Sequence, residues 1–330
     1  MNFLRRHPRL VGPILVALSI TVTFLGLLAL DLYYHNKFHK SAGTNYRGYR
    51  GEVLGKKGSN EFRIFILGGS TAFGYGVKVD ETIPAYLERV VQSRVGNSGQ
   101  NVKVINLAYN NESAICFADT LKYYDYLEPD AVIFYSGYND SAAMTMNRKA
   151  KDCFRNKSWT FRTVGYLPIL PLVVKEKYYL LRYGSVEEGY REGQLDATEK
   201  NISTRLSETN RAKINESDAI ERYITIINNS ALYLSRRAMG MVYVTQPYIS
   251  KESYHFRQQE KVRDLFIDYD LYDYFRYVDL GNVFTQRKLK EYAYDGMHLT
   301  KEGNEAIAYA LLEPTLWMIK TLRPDWHIIF

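Results

Sequence analysis

The chain has 330 residues, of which 46% are hydrophobic and 24% charged. That composition excludes a disordered, collagen-like or low-complexity protein, and the length supplies a core large enough to fold without staples. Two cysteines are too few for a disulfide framework, and 43 basic against 36 acidic residues leave a surplus too small and scattered for nucleic-acid binding.

Leu10 to Leu30 contains no charged residue. At about 1.5 Å per residue this run spans about 31 Å, the thickness of a bilayer core. Pro13 falls in the first turn, where a helix tolerates it. Arg5, Arg6, His7 and Arg9 precede the run and predict a cytoplasmic N-terminus at residues 1–9, with the remainder outside the cytoplasm. A cleaved signal peptide is the rival reading. The exit Leu27-Leu28-Ala29-Leu30-Asp31 offers no good cleavage site, so an uncleaved transmembrane signal anchor over 10–30 is the expectation.

Residues 31–60 read as a linker, with Gly43, Gly48, Gly51, Gly55 and Gly58 breaking any period. From Glu61 to the end the pattern is strand alternating with helix. Strands are predicted at 62–67, 102–107, 131–135, 241–245 and 276–280, and helices over 81–95, 113–127 and 301–322, the last with Thr300 as N-cap. Short apolar runs between helical stretches predict a parallel sheet with right-handed crossovers. The rhythm fails from 141 to about 217, which predicts an ordered insertion or lid within a domain spanning 61–330.

In an open parallel sheet, ligands bind beyond the carboxyl ends of the strands. The first strand runs into Gly68-Gly69-Ser70-Thr71, the second into Asn106 to Ser113, the third into Ser136-Gly137-Tyr138-Asn139-Asp140. The loop before the closing helix reads Asp295-Gly296-Met297-His298-Leu299-Thr300. Each signal is weak alone. Together they supply a serine, a base to activate it, a carboxylate to orient the base, and amide donors for an oxyanion.

Residues 61–145 and 217–320 resemble an SGNH/GDSL-type hydrolase. Ile64 to Thr71 matches the nucleophile block in a Gly-Gly-Ser variant, Gly137-Tyr138-Asn139-Asp140 the Gly-x-Asn-Asp block, and Asp295 to Leu299 the terminal block. The resemblance implies a three-layer α/β/α, flavodoxin-like domain with a five-stranded parallel sheet. It implies Ser70 as nucleophile, His298 as base and Asp295 as its orienting carboxylate. The oxyanion donors would be the Ser70 N–H, the Asn111 N–H and the Asn139 side-chain amide. Asn111 stands where the family has glycine, and asparagine is the non-glycine residue most at ease at positive φ.

The expected activity is a membrane-anchored serine esterase, with O-acetyl groups on an envelope or extracellular glycan as leading substrate. An O-acetyltransferase with the same triad, a lipid or lysophospholipid esterase, and an inactive glycan-binding scaffold are the alternatives. No cofactor is expected, and the remaining histidines lack metal-ligand spacing. Asp268, Asp270 and Asp273 lack the glycine and glutamate of a calcium loop. N-x-Ser/Thr sequons fall at Asn111, Asn139, Asn156, Asn201, Asn215 and Asn228. In a eukaryotic secretory pathway two of these would fall on residues assigned to the site, which favours a bacterial protein. With the signal anchor, the expected location is the bacterial inner membrane, with a periplasmic or extracellular domain. There Cys116 and Cys153 could pair, or stay as two buried thiols. The 29 tyrosines are expected mainly in half-buried packing, with some available to stack on sugars. Arg148 to Lys157 reads as a solvated basic surface, and Leu167 to Val174 as packed against the core or dipping into a bilayer.

Overall fold

β-branched and aromatic residues cluster in short runs, and five of these form the strands of one parallel sheet. The computed structural model describes residues 8–41, 43–95, 99–146, 148–185, 189, 192, 215–249, 253–267, 274–284 and 289–329. The strands are β1 (Glu61–Gly68), β2 (Asn101–Asn106), β3 (Ala131–Ser136), β4 (Gly240–Thr245) and β5 (Phe275–Val278). They lie in the order β2-β1-β3-β4-β5. The register aligns Ile66 with Asn106 on one side and Ile133 on the other.

The chain divides into two compact units, Met1–Phe38 with Pro168–Ser207, and His39–Leu167 with Glu208–Phe330. The second contains the sheet. Alternation along each strand sends side chains to two cores. Phe62, Ile64 and Ile66 join one; Phe65 and Leu67 join the other. The first core is closed by α3 (Ile83–Gln92), α12 (Lys301–Ala310) and α13 (Leu312–Leu322). The second is closed by α4 (Phe117–Tyr123), α9 (Glu216–Ser235) and α10 (Ser253–Ile267). The architecture is the expected three-layer α/β/α fold. A short helix, α2 (Ser70–Phe73), follows β1, and α5 (Tyr138–Thr145) follows β3.

Two predicted helices are broken. The 113–127 stretch is α4 flanked by short 3₁₀ turns at Ala114–Cys116 and Asp125–Leu127, and Glu128 leaves it in left-handed conformation. The closing helix is interrupted at Leu311, because Pro314 has no N–H for the carbonyl of Ala310. Its start is as predicted, with Thr300 Oγ1 accepting from the Gly303 N–H at 3.2 Å.

The first unit contains α1 (Pro8–Phe38), which is long and apolar enough to cross a membrane. It continues past the predicted exit because no glycine or proline occurs between Asp31 and Phe38, and Asp31 pairs with His35 one turn on. Its companion is α8 (Leu170–Tyr183). The rest of the expected linker belongs to the sheet unit, where Tyr49 and Arg50 are buried.

The insertion begins as α6 (Phe154–Lys157) and α7 (Trp159–Val164) on the sheet unit. Cys116 and Cys153 are disulfide-bonded, with Cα atoms 5.8 Å apart. Arg155 is not on a solvated basic surface but 1% exposed. Its Nη1 donates to both oxygens of Glu112 at 3.0 and 2.9 Å, and its Nη2 to the carbonyls of Gly48 and Leu107. Most of 186–214, and Asp268, Asp270 and Asp273, lie outside the described residues.

Candidate active site

The site forms where β1, β2 and β3 end. β1 runs through Gly68 and Gly69 directly into α2, so Ser70 is the first helical residue. A Cβ on Gly69 would sit 1.9 Å from Asn139 Nδ2. Glycine there is what allows the Asn139 amide to lie beside the serine. α2 is held from below by Asn106, whose Nδ2 donates to the carbonyls of Ala72 and Phe73 at 3.3 and 3.2 Å.

The terminal loop is a tight turn built by one carboxylate. Asp295 Oδ1 accepts from the N–H groups of Met297 and His298 at 2.7 and 2.6 Å. Its Oδ2 lies 2.7 Å from His298 Nδ1. Burial raises the Asp295 pKa, but the bonds from the His298 backbone and ring and from Met297 outweigh it and hold the carboxyl below its ordinary value. A proton on Nδ1 therefore faces a carboxylate, which leaves the lone pair on Nε2. Nε2 lies 2.8 Å from Ser70 Oγ. The structure thus brings Ser70, His298 and Asp295 into one chain of hydrogen bonds. Ser70 is buried, the His298 side chain is 17% exposed and that of Asp295 44%.

The amide donors come from the other two strand ends. Asn111 has φ +60°, the left-handed conformation that a glycine would take. The N–H groups of Ser70 and Asn111 have no acceptor among the described residues. Asn139 Nδ2 donates to the Glu112 carbonyl at 3.1 Å. A primary amide carries two protons, so one remains for a ligand oxygen. These three donors come from the loops after β1, β2 and β3, and they could receive negative charge developing on a carbonyl oxygen.

Several residues that shape the site were given no role by sequence reasoning, although Gly137 and Asp140 stand in the third motif. Asp140 is fully buried and ties two loops together, accepting from the N–H of Ala114 at 2.7 Å and of Gly137 at 3.1 Å. Burial pushes its pKa up to about 7, against the lowering effect of those two bonds. Gln246, at the end of β4, accepts from the Tyr138 N–H and donates to Thr71 Oγ1. Gly137 has φ +153°, and a Cβ there would lie 2.6 Å from His255. Tyr75 and Tyr294 flank the imidazole, with ring centroids 4.9 and 5.8 Å from that of His298. Both are roughly half exposed, and Tyr294 Oη donates to the Tyr75 carbonyl at 2.8 Å. The signal for them was position alone, just after the serine and just before the histidine. Among the described residues no cluster of His, Cys, Asp and Glu could hold a metal ion.

Among solved structures, the chain is similar to an acetylxylan esterase from Geobacillus stearothermophilus, at 12% identity over 76% of this chain and 93% of that one, with a TM-score of 0.44. It is similar to an alpha/beta hydrolase from the metagenome of Lake Arreo, Spain, at 14% identity over 78% and 96% of the two chains, with a TM-score of 0.45. An acetyl xylan esterase designated AlAXEase gives 11% identity, coverage of 77% and 99%, and a TM-score of 0.45. Comparison with curated protein sequences gives no significant match. Residues 66–306 match the GDSL-like lipase/acylhydrolase family. The match extends over more than half of the chain and takes in Ser70, Asn139, Asp295 and His298, so the chain belongs to that family and is an ester-bond hydrolase.

Proposed function

We propose that the protein is a membrane-anchored serine esterase that removes O-acetyl groups from an envelope or extracellular glycan. The observation that carries the serine mechanism is the 2.8 Å contact between His298 Nε2 and Ser70 Oγ, backed by Asp295. In the proposed reaction Ser70 Oγ attacks the ester carbonyl carbon as its proton passes to Nε2. The carbonyl oxygen becomes an oxyanion facing the N–H groups of Ser70 and Asn111 and the Asn139 amide. Collapse breaks the bond to the sugar oxygen, which takes the proton from His298. Water then attacks the acyl-enzyme with His298 as base, and acetate leaves.

The glycan is supported by Tyr75 and Tyr294, two half-exposed rings beside the base. Such rings offer flat apolar surface with a polar edge, which suits a sugar. The compartment is supported by Arg5, Arg6 and Arg9 before the apolar run, and by the Cys116–Cys153 disulfide. We place the N-terminus in the bacterial cytoplasm, residues 10–30 in the inner membrane, and the hydrolase domain in the periplasm or outside.

The test is hydrolysis of nitrophenyl esters from acetyl to decanoyl by the full chain in detergent, beside Ser70→Ala. Activity that is highest on acetyl and lost in the variant is expected. Preference for long chains overturns the glycan reading in favour of lipid esters. Turnover that survives Ser70→Ala overturns the mechanism. Acetyl transfer to an added oligosaccharide in preference to water makes the enzyme a transferase.

A further inference from the structure

The helix α8 reads Leu-Pro-Leu-Val-Val-Lys-Glu-Lys-Tyr-Tyr-Leu-Leu-Arg-Tyr. On a helical projection Pro171, Val174, Tyr178 and Leu181 fall along one stripe. Lys177 borders it on one side, and Lys175 and Arg182 border it on the other. Val173 points the opposite way and is buried. The stripe is exposed, with Val174 at 60%, Tyr178 at 55% and Leu181 at 87%. Single exposed apolar residues are ordinary, but a continuous stripe bordered by cations is an interaction surface.

The chain itself fixes where this surface lies. Asp31 is the first charged residue after the apolar run of α1. Its Oδ1 accepts from the N–H groups of Ile169 and Leu170 at 2.9 and 2.5 Å. Those are two of the amide groups that the start of a helix leaves without a partner. The Asp31 side chain is buried and lies 3.4 Å from His35 Nε2. The start of α8 is therefore pinned to the position on α1 where the hydrocarbon core would end, about one helical residue or 1.5 Å past Leu30.

We propose that α8 is an interfacial helix that lies on the outer surface of the membrane, with Pro171, Val174, Tyr178 and Leu181 turned into the boundary between headgroups and acyl chains. This rests on the reading of residues 10–30 as a membrane anchor. The occupant is a lipid surface rather than a protein, for three reasons. The tether places the helix at the right depth. Lys175, Lys177 and Arg182 outnumber Glu176, which suits anionic headgroups. Tyrosine is the residue type favoured where one end of a side chain is apolar and the other wet. Such helices sink about 5–10 Å into the interface. The protein thus has a second membrane contact, separate from the span.

The test uses the full chain with one added cysteine carrying an environment-sensitive fluorophore. The native cysteines are both in the disulfide, so the added thiol is the one that reacts. Leu181→Cys and Val174→Cys report on the stripe, and Leu18→Cys reports on the span. Each is reconstituted in phosphatidylglycerol and phosphatidylethanolamine vesicles with nitroxide lipids. The labels at 181 and 174 should lose fluorescence most to a nitroxide near the headgroup and be shielded from aqueous iodide. The label at 18 should lose it most to a nitroxide deep in the chain. Quenching at 18, with the other two open to iodide and untouched by nitroxide, overturns the interfacial helix and leaves the anchor intact. Quenching at 18, with 181 and 174 shielded from both quenchers, means that protein covers the stripe and also overturns it. No nitroxide quenching at 18 removes the anchor, and this proposal with it.

Discussion

Arg50 donates from Nη1 to the carbonyl oxygen of Gly74 at 2.6 Å, at the end of the helix that starts with Ser70. The same nitrogen donates to the Phe73 carbonyl at 2.7 Å, and Nη2 donates to the carbonyls of Ser41 and Val77. The side chain is buried, and its guanidinium lies 4.6 Å from the Phe73 ring centroid. Burial pushes its pKa down to about 10, which leaves it charged at neutral pH. A buried cation here is stabilised by carbonyl dipoles, and those dipoles belong to the turn that follows Ser70. Arg50, in the segment expected to be a linker, therefore helps to shape the loop that carries Ser70.

Arg50→Met should lower kcat far more than it raises KM. The variant removes the guanidinium bonds to the carbonyls of Phe73, Gly74 and Val77, so the turn loses its clamp and Ser70 shifts against His298. A displacement of about 1 Å in such a site costs about 100-fold in rate. Arg50→Lys should recover only part of this, because an ammonium has three donor protons on one atom and cannot span the fork. Steady-state kinetics on nitrophenyl acetate, with circular dichroism to check folding, decides it. Equal activity of Arg50→Met and the parent would show that the clamp does not position the serine.

Asp140 gives a prediction with a definite sign in pH. Its folded pKa of about 7 lies above the ordinary carboxyl value of about 4. Between those values the unfolded chain has released the proton and the folded chain still holds it. Rising pH therefore favours unfolding, and the stability this group supplies is full below about pH 4 and lost as pH approaches about 7. The slope from one such group is at most about 1.4 kcal/mol per pH unit. Asp140→Asn should remove that part of the slope while costing about 1 kcal/mol, since an amide oxygen replaces only one of two acceptors. Urea unfolding of both proteins across this range measures it, and parallel pH profiles would contradict it.

The Cys116–Cys153 bond closes a loop with a sequence separation of 37. Chain entropy alone assigns such a cross-link about 4 kcal/mol, and measured values commonly fall at about 2–4 kcal/mol. Replacing both cysteines by serine should lower the unfolding free energy by about that amount. It should also loosen Arg155, two residues on, from Glu112. That pair is buried, and the bonds from Nη1 to both carboxylate oxygens, with those from Nη2 to two carbonyls, offset the cost of desolvating both ions. Glu112 supplies the carbonyl that receives the Asn139 amide, so the variant should lose activity as well as stability. Unfolding midpoints and kcat, measured with and without reductant on the parent protein, check both parts.

What the sequence made legible was local. Ser70 stands in a short motif at the end of a strand, where parallel-sheet topology gathers the loops, and Asp295 and His298 stand in a short motif in the loop before the closing helix. Asn111 was readable as well, because a residue in a glycine position must accept positive φ. The break at Leu311 was missed: the helix was predicted unbroken over 301–322 although Pro314 stood inside it. Arg155 was missed too. Nothing in a basic stretch tells which arginine will find a carboxylate brought near by the fold. Arg50 shares that difficulty, since its partners are backbone carbonyls with no sequence identity. Continuation of α1 beyond Leu30 was hidden by the change to polar residues, which marks the end of an apolar surface and not the end of a helix.

The three amide donors can be separated because they differ in kind. Asn139 offers a side chain, whereas Asn111 offers a backbone N–H and uses its side chain only to tolerate φ +60°. Asn111→Gly keeps that conformation without strain, so it should leave kcat nearly unchanged. Asn111→Val should lose activity, because a β-branched residue resists positive φ and pulls the N–H away. Asn139→Ala removes its donor outright and should cost about 100–1,000-fold in kcat with little change in KM, since the oxyanion exists only beyond the ground state. Kinetics of the three variants on nitrophenyl acetate would separate the roles. If Asn111→Gly falls as far as Asn139→Ala, the Asn111 side chain contributes directly and the backbone assignment is wrong. If Asn139→Ala keeps full activity, the oxyanion is held by backbone groups alone.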